Sequence, residues 1–332
     1  MKFPFFLLLL FLASCNSTTP PSSETSPETS PTTSPSTSPS TAESDPVVPN
    51  DSISEPSRCI SSITDGIGTV TARVSGATSA PYGFLEYLPA GYNADDKNYP
   101  VIVFLHGLGE KGTDSATTLQ SKMSSHGPFK RISQGRHFPA LVFAPQSPGW
   151  WSSGTLKTFL EWIELNYRVD RSRIYLTGLS MGGGGTWDYL RFDSARIAAA
   201  IPVCGASSAN QSASEREALV KVPLFSVHNM DDGVVTYRNS ESFANSLGAS
   251  QSSRNSVLDQ YASGSDVTMY YDAVAEEWIQ VEGSLKLKDS SGAFHKSTSL
   301  FAFDASGGHN AWTKTYASED TWEWLFCQRK SL

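Results

Sequence analysis

Arg173-Ile174-Tyr175-Leu176-Thr177-Gly178-Leu179-Ser180-Met181-Gly182-Gly183-Gly184-Gly185 decides the fold. Its first residues form a short apolar run of the kind that makes a buried strand, and a helix is expected from about Met181. Between them Ser180 sits at the centre of a G-x-S-x-G spacing. The spacing has a steric reason. A residue on so sharp a strand-to-helix turn takes strained backbone angles, and side chains two positions either side would collide, so both flanking sites need Gly. Each Gly in a helix interior costs about 1 kcal/mol relative to Ala. Close packing against a sheet, or a reactive turn, would account for that cost; a glycine-rich helix start without chemistry is the bland alternative. A phosphate cradle does not fit, because neither GxGxxG nor GxxxxGK[ST] can be laid over these residues, and no acidic residue closes the next strand, Ala198–Val203.

Outward from this turn, short apolar runs alternate with helix-length segments. Thr69–Val74 and Tyr82–Leu88 read as antiparallel strands. Tyr99–Leu105, Leu141–Ala144, Arg173–Thr177, Ala198–Val203, Val222–Val227 and Leu300–Phe303 read as buried ones. Helices are expected over Thr155–Val169, with Ser153 or Thr155 as cap, near Tyr237–Leu247 and near Ser318–Phe326. The alternation predicts an α/β fold, a mostly parallel sheet covered by helices on both faces, with reactive groups beyond the carboxyl ends of the strands.

A serine on such a turn needs a base and an orienting acid, and in this architecture the chain order is Ser, acid, His. Only His228, His295 and His309 follow Ser180. His228 ends a strand and precedes the acidic pair Asp231-Asp232, which puts it in the wrong order for the base. Asp232, directly before Gly233-Val234-Val235, is preferred to Asp231 as the acid. His309 lies in the glycine-flexed Ser306-Gly307-Gly308-His309 and is the candidate base. For a developing oxyanion the candidate donors are the backbone N–H groups of Met181 and of Leu108, the latter in His106-Gly107-Leu108-Gly109 after the Tyr99–Leu105 strand. His106 reads as a residue that orients this turn.

His106-Gly107-Leu108-Gly109, Ala144-Pro145-Gln146, the Arg173–Gly183 stretch, Pro202-Val203-Cys204-Gly205 and Gly308-His309-Asn310-Ala311-Trp312 together resemble the α/β-hydrolase superfamily. The closest resemblance is to secreted carboxylesterases of the dienelactone-hydrolase, phospholipase/carboxylesterase and polyhydroxybutyrate-depolymerase-like groups, which include feruloyl and acetylxylan esterases. The resemblance runs from about Pro81 to Arg329. It implies Ser180 as nucleophile, Asp232 as acid, His309 as base, Leu108 with Met181 as oxyanion hole, and no metal or organic cofactor. Trp151 of the Trp150-Trp151 pair matches an aromatic that often lines the substrate pocket, the alternative being a ring packed under a loop. Two other readings remain open: a prolyl-oligopeptidase-type serine peptidase, weakened by the lack of a second gating domain, and a surface binding protein on a non-catalytic hydrolase scaffold.

The 77 residues from Asp232 to His309 exceed what a strand-helix-strand connection needs. The excess, about 259–298, contains the alternating runs Val267–Tyr271 and Trp278–Leu287 and predicts an extra hairpin or small lid near the mouth of the site. At the front, Lys2 and the apolar run Phe5–Leu12 read as a signal peptide over residues 1–14. Leu12-Ala13-Ser14-Cys15 resembles a bacterial lipobox, implying acylation of Cys15, and Asn16 favours the outer membrane. Between Ser17 and Thr41 every residue but Glu24 and Glu28 is Ser, Thr or Pro, so 15–57 is expected to be a disordered tether before a domain over 58–332. A net charge of −8 argues against nucleic acid as partner. Membrane association is expected only through the lipid, and the expected partner is a small or polymeric ester met by a monomer. Cys59 and Cys327, at the two ends of the expected domain in an exported chain, are candidates for a disulfide, whereas Cys204 reads as a buried thiol.

Overall fold

The computed structural model describes residues 59, 64–207, 209–247, 265–272 and 277–332. The signal peptide, Cys15 and the tether fall outside the described residues. Ten strands among the described residues form one sheet: β1 (Thr69–Arg73), β2 (Gly83–Leu88), β3 (Tyr99–Leu105), β4 (Leu141–Gln146), β5 (Val169–Leu179), β6 (Ala199–Val203), β7 (Leu224–Asn229), β8 (Val267–Asp272), β9 (Glu277–Glu282) and β10 (Ser299–Asp304). Their spatial order is β1-β2-β4-β3-β5-β6-β7-β10-β8-β9. From β4 to β10 all neighbours are parallel, while β1, β2, β8 and β9 add on antiparallel. The expected mostly parallel α/β sheet is what the chain forms.

Eight α-helices flank it: α1 (Ala116–Met123), α2 (Gly127–Ser133), α3 (Ser153–Asn166), α4 (Met181–Asp193), α5 (Ala213–Leu219), α6 (Arg238–Leu247), α7 (Trp312–Ala317) and α8 (Glu319–Cys327) among the described residues. Strand periodicity divides the core between the two faces. Val101, Val103 and Leu105 of β3 join Phe159, Trp187 and Phe243 of α3, α4 and α6. Ile102 and Phe104, their neighbours in the same strand, join Met123, Phe129, Trp322 and Phe326 of α1, α2 and α8. Burial on both sides is why β3 reads as continuous apolar sequence. The cap of α3 is Ser152, whose Oγ accepts the Thr155 N–H at 3.3 Å, rather than Ser153 or Thr155.

The insertion is hairpin rather than lid in its described part. β8 pairs with β10 and β9 with β8, so these strands prolong the sheet at its edge. Lys288, farther along, pairs with Asp320 and Glu323 of α8 on the flank. Cys59 and Cys327 are joined by a disulfide that closes a 268-residue span, and the free thiol of Cys204 is buried.

Candidate active site

Ser180 stands between β5 and α4 with φ 53° and ψ −116°, a left-handed conformation that a serine adopts only when its surroundings impose it. The neighbouring glycines supply that imposition. A methyl group on Gly182 would lie 2.0 Å from the carbonyl oxygen of Leu105, and one on Gly178 would lie 2.4 Å from that of Gly182. Methyl groups on Gly183, Gly184 and Gly185 would lie 2.4, 2.8 and 2.7 Å from Val203, Ala206 and Trp151. The start of α4 is thus wedged between the ends of β3 and β6. Backbone bonds lock it there: the Ser180 N–H donates to Val203 O at 3.0 Å, and Ser180 O accepts from Gly184 and Ala206.

Ser180 Oγ is 2.8 Å from His309 Nε2, and His309 Nδ1 is 2.7 Å from Asp232 Oδ2. Three residues far apart in sequence therefore form one hydrogen-bonded chain at the carboxyl end of the sheet. Asp232 Oδ1 accepts the backbone N–H groups of Val234 and Val235 at 2.8 and 2.9 Å. Burial opposes ionisation of this carboxyl, but the bond to His309 and the two N–H groups outweigh it and hold Asp232 below the usual carboxylate range.

Asp231, the rejected alternative for the acid, has a different use. Its Oδ1 accepts the Gly308 N–H at 2.8 Å and its Oδ2 the Gly307 N–H at 3.1 Å. Asn229 Nδ2 donates to Gly308 O at 2.8 Å, and the Met230 N–H donates to Asp304 O at 2.7 Å. The exit of β7 thus grips the loop that carries His309. Both glycines have positive φ, 138° and 58°, and a methyl on Gly307 would strike Asn229. The Asp-Asp pair and the Gly-Gly pair were the sequence signals of this clamp, but neither says which contacts which.

His228 is buried, with Nδ1 2.8 Å from Ser240 Oγ and Nε2 2.9 Å from Val235 O. It supports the Asp232 turn from beneath, and burial pushes its imidazole down in pKa. His295 stacks on Tyr270 at the hairpin edge, away from the chain of three.

Leu108 begins a one-turn 3₁₀ segment and Met181 begins α4, so neither helix uses its N–H internally. The loop holding Leu108 faces the serine: a methyl on Gly107 would be 3.8 Å from Ser180 Cβ. His106 orients this loop. Its Nδ1 donates to Gly107 O at 2.7 Å while its Nε2 accepts the Ser147 N–H at 3.0 Å, the neutral tautomer. Burial keeps it neutral by pushing its pKa down to about 4.

Of the two readings of Trp151, the structure shows the ring packed under a loop. Only 4% of it is exposed, its indole N–H donates to His106 O at 3.1 Å, and its ring packs on the His106 imidazole. It is a packed support under the Leu108 loop, while its neighbour Trp150 is 53% exposed.

Among the described residues, ligand atoms of Cys204, Asp232 and His309 fall within 4.8 Å of one another. Asp232 and His309 are already engaged, and burial pushes the Cys204 thiol up to about 12, away from the thiolate a metal would need. The set fits proton relay to a serine better than it fits a metal.

The fold is similar to that of solved structures. A thermostable esterase superposes with a TM-score of 0.50 and 25% identity, over 80% of this chain and 64% of that one. The chain has the α/β-hydrolase fold. The acetyl xylan esterase of Aspergillus awamori shares this α/β-hydrolase fold, with a TM-score of 0.50 over 78% of this chain and all of that one, at 14% identity. A bifunctional acetylxylan esterase/xylanase of Neocallimastix patriciarum is 27% identical over 154 residues, 44% of this chain. The chain spans about a fifth (21%) of that relative and 64% of the thermostable esterase. No family model matches this chain.

Proposed function

We propose that this chain is a serine carboxylesterase that works through an acyl-enzyme, exported and tethered to the outer membrane by acylation of Cys15. The observation that carries the catalytic reading is the unbroken chain from Ser180 Oγ through His309 to Asp232. His309 takes the Ser180 proton as the oxygen attacks an ester carbonyl, and Asp232 orients the ring and stabilises the imidazolium. The N–H groups of Leu108 and Met181 hold the oxyanion. His309 then protonates the departing alcohol, and water, deprotonated by the same imidazole, releases the acid. Every proton moves between groups of this chain, the ester and water.

Short-chain esters, acylated sugars and polyester oligomers are the substrate range. The 154-residue likeness to the acetylxylan esterase/xylanase supports acylated sugars first. The test is release of acid from 4-nitrophenyl esters (acetate to octanoate), methyl ferulate and acetylated xylan, with Ser180→Ala as control. Turnover by the wild type alone supports the reading; equal turnover by Ser180→Ala removes it. For the anchor, Cys15→Ser is expected to abolish labelling by a palmitate analogue and release the protein from membranes.

A further inference from the structure

A cavity of about 230 Å³ lies between α2 and α7, lined by residues that include His126, Lys130, Arg131, Trp312 and Tyr316. It begins one side chain away from the site. The Trp312 ring meets the His309 imidazole edge-to-face at 5.3 Å and the His126 ring at 5.4 Å. His126 in turn lies 3.8 Å from Glu110, in the turn that Leu108 opens. The walls are fixed from behind. Gly127, at φ 62°, is pressed onto Phe104 of β3, and the buried Tyr316 hydroxyl is 2.8 Å from Thr177 Oγ1 in β5.

Its charge is opposite to that of the protein. The chain carries −8 overall, yet the ionisable residues lining the cavity include Lys130, Arg131 and His126 and no Asp or Glu. Arg131 Nη1 donates to Gln134 Oε1 at 2.8 Å, and both residues line the cavity. A guanidinium and an ammonium lining one cavity with aromatic rings suit a carboxylate on a ring or short chain. In an acidic protein a local positive cleft beside the reacting atoms raises the concentration of anionic substrate there.

We infer that the α2–α7 cleft is a substrate subsite that recognises a carboxylate carried by the ester at a distance from the scissile bond, held by Lys130 and Arg131 against Trp312. This rests on the serine esterase reading and narrows its substrate class to anionic esters. The acyl half and the alcohol half are separate sources of the carboxylate, so the experiment has two arms. The first compares 4-nitrophenyl monoesters of dicarboxylic acids of increasing length with the same compounds capped as methyl esters. The second compares acetylated uronic acid with the matching acetylated neutral sugar.

In at least one arm the full-length protein is expected to favour the anionic member in kcat/KM by roughly tenfold, the scale of one charge-assisted hydrogen bond. The preference should shrink as ionic strength rises from low to high salt. Lys130→Gln with Arg131→Gln should bring the anionic-to-neutral ratio to about one, and Lys130→Glu with Arg131→Glu should invert it. Lys97→Gln with Lys221→Gln, two exposed lysines elsewhere on the surface, removes the same charge and should leave the ratio as in the wild type. Neutral esters turned over with a ratio of about one in both arms, or a preference equally lost in the Lys97/Lys221 control, would overturn the subsite and leave the esterase reading standing. No turnover of any ester would overturn both.

Discussion

Ser180 and His309 stand 2.8 Å apart but are held by different kinds of structure. Ser180 is held by backbone: a left-handed turn, glycines pressed against carbonyl oxygens of β3 and β6, and main-chain hydrogen bonds to neighbours on both sides. His309 is held by side chains: the Asp231 carboxylate on two loop N–H groups, the Asn229 amide on a loop carbonyl, and Asp232 on the ring itself. A backbone-held residue tolerates no added methyl group and has little freedom to move. A side-chain-held loop can be loosened one hydrogen bond at a time. The proposed nucleophile should therefore respond to substitution all or nothing, and the proposed base in steps.

The largest effect is expected where the two halves meet. Asp232→Asn keeps the shape but favours the wrong imidazole tautomer, and should lower kcat by about 10⁴-fold with the fold intact; a loss under tenfold would mean that the carboxylate does not serve the imidazole. On the backbone-held side, Gly182→Ala must displace the Leu105 carbonyl. It should cost about 3 kcal/mol in chemical denaturation, along with the activity. Wild-type stability in this variant would show that the elbow is looser than its packing.

On the side-chain-held side the steps are smaller. Asp231→Ala should leave Ser180 reactive but let the His309 loop drift, lowering kcat by about 10²-fold with little change in KM. Asp231→Asn keeps one acceptor and should recover part of the loss. Asp231→Ala should also let His309 exchange between positions, visible as broadened imidazole resonances, which a purely structural carboxylate would not cause. Gly308→Ala meets no atom but must keep φ 58°, so it should cost about 1 kcal/mol, well below Gly182→Ala.

pH tests the supporting histidine, His106. His106 is neutral in the fold with its pKa pushed down from 6.5 to about 4, so the unfolded chain binds the extra proton first as pH falls. Stability should be level above pH 6.5 and decline towards pH 4 by about 3 kcal/mol from this group. Denaturation midpoints that stay constant over that window would contradict the buried neutral tautomer. The lowered pKa of Asp232 acts later in the same direction: its contribution is present above the ordinary carboxylate range and lost as pH falls through it.

The same division explains what could be read from the sequence. β3, β5, β6 and β7 are buried on both faces and so appear as apolar runs, and the elbow announces itself because its steric demand falls on adjacent residues. Ser180, Asp232 and His309 could be picked by chain order. The sequence does not announce the helices α1, α2, α5 and α7; each is short, eight residues or fewer, with too few apolar positions to set a period. For Trp151 the sequence leaves a pocket wall and a ring packed under a loop both open, because an aromatic after β4 says nothing of which way its ring turns; its N–H goes to His106 O. Asp231 reads from sequence as the less favoured acid or as part of a solvated turn. Its grip on Gly307 and Gly308 joins residues 76 and 77 positions apart, and no local pattern encodes it.

The most direct test of the central claim is intact-mass and peptide mapping of the protein after reaction with a fluorophosphonate. The account predicts one adduct per chain, on the peptide containing Ser180, formed quickly in the wild type, far more slowly in His309→Ala and not at all in Ser180→Ala. An adduct on another residue, or none on folded wild-type protein, would contradict it.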